Sequence, residues 1–330
     1  MDTSETALVF EDEDEDETWV EIAKARSAYR NTDLPPACQD GQWPKVFLPT
    51  IYLWAGSQPS LWNISDDALL EAIQHTFDVV YPEVEYTPTV QGSVFGVTNQ
   101  RLSEWRSNFG STAIAIIIDF MARNDDTSPG ELAEYLLSDY AFLYEDPEVI
   151  DKTKTFQSPF MLQLIATGHF HATSGHADVP ALNTDALVVN GIDGVIGMCA
   201  AAVSRFFFLL IKDNANSLVQ LERALRLIND NIIKVEDVLA APPALRKLML
   251  KTPKMLNKAT GKETWTACAF SVNNWGSATN SFSKSARTKG KTLTKDITSM
   301  ARKLLKKSNS RLNDFFSNSD SEEFDERALV

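Results

Sequence analysis

Three times along this chain a serine stands just before a run whose apolar residues recur at helical spacing. Ser65 precedes Leu69, Leu70, Ile73 and Phe77; Ser128-Pro129 precedes Leu132, Tyr135 and Leu136; Ser158-Pro159 precedes Phe160, Met161, Leu164 and Ile165. A serine oxygen there accepts from an orphan N–H of the first helical turn, and a following proline gives up an N–H that has no helical partner anyway. Asp66 and Asp67 also suit the positive end of a helix. These starts are local chemistry, and they favour helices before any tertiary contact forms. Strand grammar is scarce: no alternating run of six or more residues is bounded by turn residues.

Longer patterns fill the intervals. From about Phe95 to Arg123 the apolar face uses Leu102, Trp105, Phe109, Ala113, Ile116, Ile117 and Phe120, with Gly110 as a break or close-packing point. Thr184 to Ile211 reads as one very apolar helix at the centre of the fold, and Leu218 to Ile233 as an amphipathic one. The expectation is an all-α fold, a multi-helix globular bundle over residues 65–259. Its flanks are expected to be an acidic disordered head (1–33), a Pro- and Trp-rich extended connection (34–64), a loose polar basic linker (260–294), a cationic amphipathic helix (295–316) and an acidic disordered end (317–330).

The chain has 330 residues, 44% apolar and 23% charged, enough for one large core or two modest ones. Its three cysteines, Cys38, Cys199 and Cys268, are far apart and odd in number, which argues against a disulfide framework and fits a reducing, intracellular setting. An acidic N-terminus is no secretory signal. The greasy run Met198 to Ile211 is interrupted by Arg205 and falls short of the ~20 residues a membrane span needs.

Charge is strongly segregated. Between Arg246 and Arg311 sixteen Lys and Arg face only Glu263 and Asp296, a local +14 in a chain of formal net charge −14. Glu11 to Glu17, by contrast, is an unbroken acidic run. Within the basic region Lys284, Arg287, Lys289, Lys291, Lys295, Arg302, Lys303, Lys306, Lys307 and Arg311 are the candidate contacts, and from Lys295 on they flank an apolar helical face (Ile297, Met300, Ala301, Leu304, Leu305, Leu312, Phe315 and Phe316). Three readings stay open. The arm contacts nucleic acid or an acidic protein, and resembles a split nuclear-import signal. Its apolar face docks on a partner or a membrane surface. Or it folds back on the acidic remainder of its own chain.

No reaction is legible. Nucleophile-elbow, phosphate-loop and dinucleotide-binding signatures are absent. Gly191, Gly194 and Gly197, followed by Ala200 to Ala202, read as a surface that lets a neighbouring helix approach closely. Paired acids (Asp125-Asp126, Glu145-Asp146, Glu236-Asp237) read as turn and cap residues. His169, His171, His176 and Asp178 form the one histidine cluster; on a continuous helix His169 and His171 project about 200° apart, so metal binding requires the helix to end before them. Arg101 and Arg106 are a further candidate pair at a pocket mouth, against an ion-paired structural face.

Several blocks carry a family likeness: Gln100-Arg-Leu-Ser-Glu-Trp-Arg106 with Phe109-Gly110, Tyr140-Ala-Phe-Leu-Tyr-Glu145, Phe156-Gln-Ser-Pro-Phe160 leading to His169-Phe170, and Ala200–Val203. From about Pro82 to Asn229 the chain resembles the fungal domain of unknown function 6532, common in mushroom-forming basidiomycetes. The resemblance implies a helical fold and a fungal setting, and it carries over no catalytic residue. The resulting expectation is an interaction protein without cofactor that uses its basic arm. The alternative is an enzyme with a metal or polar site near the histidine cluster.

Overall fold

The computed structural model describes residues 24–124, 126–203, 227–228, 232–250, 254–257, 262–264 and 269–316, the last eleven by backbone alone. The acidic run, Leu218 to Arg226, Trp265 and the acidic end lie outside these residues. The fold is all-α. Its helices are α1 (Leu48–Gly56), α2 (Asp66–Val80), α3 (Ser93–Ala122), α4 (Pro129–Leu137), α5 (Pro159–Ile165), α6 (Thr184–Asn190), α7 (Asp193–Val203), α8 (Val235–Ala240), α9 (Pro243–Met249), α10 (Val272–Thr288) and α11 (Lys291–Phe316). A small antiparallel pair, β1 (Met255–Asn257) and β2 (Lys262–Thr264), joins α9 to α10.

The serine starts behave as their chemistry dictates. Ser65 accepts from the Ala68 N–H, Ser128 from Glu131 and Ser158 from Met161. α2 turns Leu69, Ala72, Ile73, Phe77 and Val80 inward and ends before Pro82. α3 runs unbroken through Gly110, and Ala113 to Ile118 are all buried, so that stretch of it is enclosed on every side. α7 is likewise buried from Gly194 to Val203. These two helices cross at the centre, with α1 and α5 packed around them.

Four segments differ from the sequence reading. Residues 24–33 are anchored rather than disordered: Tyr29 is buried, donates to the Gln91 carbonyl at 2.7 Å, and rests on Gly96, where an added Cβ would meet its ring at 2.5 Å. The connection 34–64 is largely helical, because Pro44 and Pro49 sit in first turns, where proline is tolerated. Trp43 stacks on Phe47 at 4.3 Å and both are buried. The central apolar helix is two helices, α6 and α7, bent by 40° at Gly191-Ile192, and its expected continuation beyond Val203 lies outside the described residues.

The fourth difference is the largest. The supposed loose linker contains α10, seventeen residues that lie along α7 at very short range. A Cβ on Gly197 would stand 2.0 Å from Ser283 Oγ and 2.5 Å from the Thr279 carbonyl; one on Gly194 would meet the Gln58 carbonyl at 2.6 Å. The glycine spacing thus does permit close approach, and the helix it admits comes from the basic C-terminal region. Trp62 donates to Thr279 at 2.9 Å, and Phe270 bridges Trp62 and Trp275. α11 then returns across α5, α6 and α9, burying Leu293, Ile297 and Ala301.

Phe282 of α10 meets two rings edge-on, Tyr140 at 6.5 Å and Phe156 at 6.3 Å. Both partners have left-handed backbones (φ 61° and 66°), a conformation that costs a side-chain-bearing residue on the order of 1–2 kcal/mol. Packing of both rings against Phe282 of α10 offsets that strain.

Candidate functional site

The two expected sites fare differently. Around the histidines, α5 does not stop before His169. It widens into a turn over Ala166–Phe170, closed by the His171 N–H donating to the Ala166 carbonyl at 3.0 Å. His169 therefore points into the core and His171 to solvent. His176 Nδ1 contacts the Thr173 carbonyl at 2.8 Å, and Asp178 accepts from Thr184 at 2.9 Å. Among the described residues no three His, Cys, Asp or Glu side chains converge as metal ligands. The conditional metal reading fails because its premise, a helix end ahead of His169, is not met.

His169 is instead a core histidine. It lies against Gly56, where a Cβ would approach its Cε1 to 2.7 Å, and beside the rings of Trp105 and Phe170. Neither ring nitrogen has a hydrogen-bond partner among the described residues. Burial, then the Arg302 guanidinium and His176, push its pKa down to about 3. A depressed histidine leaves stability unaffected above its unfolded value near 6.5. Below that value the unfolded chain takes up a proton and the folded one does not, until about pH 3. Between pH 6.5 and 5 this removes about 2 kcal/mol. His169→Leu, which cannot titrate, is expected to lose that much less over the same interval, read from urea midpoints at the two pH values.

Arg101 and Arg106 share no site. Arg101 pairs with Glu104 at 2.7 Å and donates to Asn31 at 3.1 Å near the surface. Arg106 is buried, its Nε without a partner among the described residues, and burial lowers its pKa to about 10, which leaves it cationic at neutral pH. Of the paired acids, Glu145 holds Lys154, Asp146 closes a turn on the Glu148 N–H, and Glu236-Asp237 occupy the first turn of α8.

The ten basic candidates divide by use. Three serve the fold. Arg302 donates to the Val188 carbonyl at 3.2 Å and covers the Phe170 ring at 4.3 Å. Lys289 donates to the Lys152 carbonyl at 2.6 Å and to Thr155. Arg287 lies 3.7 Å from Asp193, whose pKa is raised by burial against the opposing pull of Arg287. Four others, Lys284, Lys291, Lys295 and Lys303, are exposed and make no salt bridge among the described residues. Lys291, Lys295 and Lys303 fall on one side of α11, opposite Leu293, Ile297 and Ala301. The side chains of Lys306, Lys307 and Arg311 lie outside the description, and the helical backbone continues through them.

Docking of α11 also decides what its apolar face does. Through Ala301 that face belongs to the core, so the stretch offers charge rather than grease. Among the described residues no single helix is long and apolar enough to cross a membrane; α6 and α7 together pass by length and composition, and α7 is enclosed by the body. Cys38 and Cys199 are free, buried thiols, their pKa values pushed up by burial, to about 12 for Cys38.

The sequence model of a family described as Domain of unknown function (DUF6532) matches residues 8–192. No curated protein and no solved structure matches the chain.

Proposed function

Because the chain belongs to the DUF6532 family, whose description names no reaction, we propose a role read from the surface: an interaction protein that presents a cationic helix edge to nucleic-acid phosphates. The observation that carries this reading is the row Lys291, Lys295 and Lys303, with Lys284 on α10, exposed on helices whose other faces are already committed to the core. A chain with net charge −14 does not need lysines free of salt bridges for solubility, and gathering Lys291, Lys295 and Lys303 on one side of α11 opposes their mutual repulsion. Lysines of this kind release counterions from phosphates without reading sequence. A fungal, basidiomycete source and entry into the nucleus belong to the same proposal, supported by the residue blocks quoted above and by the basic clusters.

Four phosphate contacts imply a salt slope of about −3 on a single strand, so affinity for a 20-nucleotide single strand should fall about 50-fold between 50 and 200 mM salt. Converting Lys284, Lys291, Lys295 and Lys303 to Gln is expected to abolish most of that dependence while leaving the thermal unfolding midpoint within a few degrees. Equal retention of both proteins on immobilised strand would rule the edge out as the contact. Binding that an acidic polypeptide supports and nucleic acid does not would move the reading to a protein partner.

A further inference from the structure

We propose that the chain associates with a second copy of itself, the rigid loop tip at Val149-Ile150 of one copy seating on the outward face of α9 in the next. The contact uses none of Lys284, Lys291, Lys295 and Lys303, so it stands apart from the nucleic-acid reading.

Two places spend large apolar side chains on solvent. At the first, Val149 and Ile150 are 57% and 49% exposed, and Tyr135 on α4 is 43% exposed. The loop that carries the pair is not slack. An antiparallel bridge between Tyr144 and Thr155 closes its base, and Glu145 pairs with Lys154 just inside. Towards the tip the Val149 N–H donates to the Asp146 carbonyl at 3.1 Å. The Asp151 N–H donates to the Val149 carbonyl at 2.8 Å, a tight turn centred on Ile150. Lys289 fastens the returning segment through the Lys152 carbonyl at 2.6 Å. Tyr135 stands beside this loop: burial, then the Glu148 and Asp146 carboxylates, push its pKa up. A loop ordered this fully loses little freedom when a partner covers it.

The second place is α9. Leu245 and Leu248 are 51% and 54% exposed, Met249 is exposed with them, and their spacing sets all three on one side of the helix. That side faces outward because the rest of α9 is committed. Leu250 is buried, Arg246 donates to the Leu239 and Ala241 carbonyls, and the helix packs on α11.

The two surfaces match in charge as well as in apolar character. Residues 131–154 hold seven carboxylates against Lys152 and Lys154, whereas residues 238–262 hold six Lys and Arg and no acid. Apolar side chains rimmed by opposite charges form a complementary pair. Both are exposed in the same folded chain, so neither covers the other within it, and they meet only between copies. Because the faces differ, the contact is head-to-tail. Two chains of net charge −14 repel, but that repulsion is screened beyond ~8 Å at physiological ionic strength, and rim charges in contact are screened much less. Three apolar side chains on each side make a small interface, of the size that gives weak, transient association.

The test is sedimentation velocity on the full chain at 150 mM salt, from about 5 to 200 µM. The weight-average mass should climb above that of the monomer across this range, and association should weaken about threefold at 500 mM salt. Two variants separate the faces: Val149→Ser with Ile150→Ser, and Leu245→Gln with Leu248→Gln. The replaced side chains are exposed, so both should keep the wild-type urea midpoint. Each variant alone should stay monomeric to the highest concentration, while their equimolar mixture should form a one-to-one dimer, since one intact tip then meets one intact α9. A wild-type chain that is monomeric throughout would overturn the proposal. Association of either variant by itself would mean that one face pairs with its own copy, and a mixture that fails to dimerise would mean that the two faces do not meet; both refute it. Association unchanged or strengthened at 500 mM salt would remove the charge matching, and with it the case for this pair of surfaces.

Discussion

A chain ending at Ala269 is expected to lose its cooperative unfolding transition. The truncation removes Trp275, Leu293 and Ile297 from the core and takes Phe282 away from Tyr140 and Phe156. Each large apolar side chain contributes about 1.5–3 kcal/mol on burial, and the cut also bares the α7 face around Gly197. The total is on the order of 5–10 kcal/mol, comparable with the whole stability of an ordinary domain. The expected product keeps much of its helical circular dichroism, binds a hydrophobic dye and shows no sigmoidal urea curve. A sharp transition at the full chain's midpoint would show that α10 and α11 are peripheral.

The second large effect is at Gly197, and it separates propensity from space. Glycine to alanine in a helix interior ordinarily stabilises by about 1 kcal/mol. At Gly197 the new methyl would lie 2.0 Å from Ser283 Oγ and 2.5 Å from the Thr279 carbonyl, and the latter is backbone that cannot swing aside. Gly197→Ala is therefore expected to destabilise by about 2–3 kcal/mol, and Gly197→Val by more. Gly276 on α10 is the control. Its Cβ would first meet Val272 Cγ2 at 3.1 Å, a side-chain tip, so Gly276→Ala should be neutral or slightly stabilising. Urea midpoints at constant slope give both signs; a stabilising Gly197→Ala would mean the two helices are farther apart than described.

What could be read from residues, and what could not, follows from how local the signal is. Ser65, Ser128 and Ser158 act on N–H groups three residues away, so the starts of α2, α4 and α5 were legible to the residue. α1 was missed because Pro44 and Pro49 suggest extended chain, although proline in a first turn is compatible with a helix. α10 was missed for a deeper reason. Ser277, Thr279, Asn280, Ser281 and Ser283 are poor helix formers in isolation, and the same small side chains let the backbone approach Gly197. Propensity argued for a loop; packing, invisible in one segment, decided otherwise. The break between α6 and α7 escaped because the apolar spacing continues across Gly191-Ile192. Of the lysine edge, composition revealed the charge, and only the docking of α11 could sort structural Arg287, Lys289 and Arg302 from the four exposed lysines.

The pairing of α7 with α10 also orders events on the ribosome. Some seventy residues separate Val203 from Val272, so at 5–20 residues per second the glycine face waits about 4–14 s for its cover. During that interval the nascent globule carries an open apolar cleft. Slow decoding between these helices, or scarcity of a holdase that shields such clefts, should reduce the yield of native protein without altering a single residue.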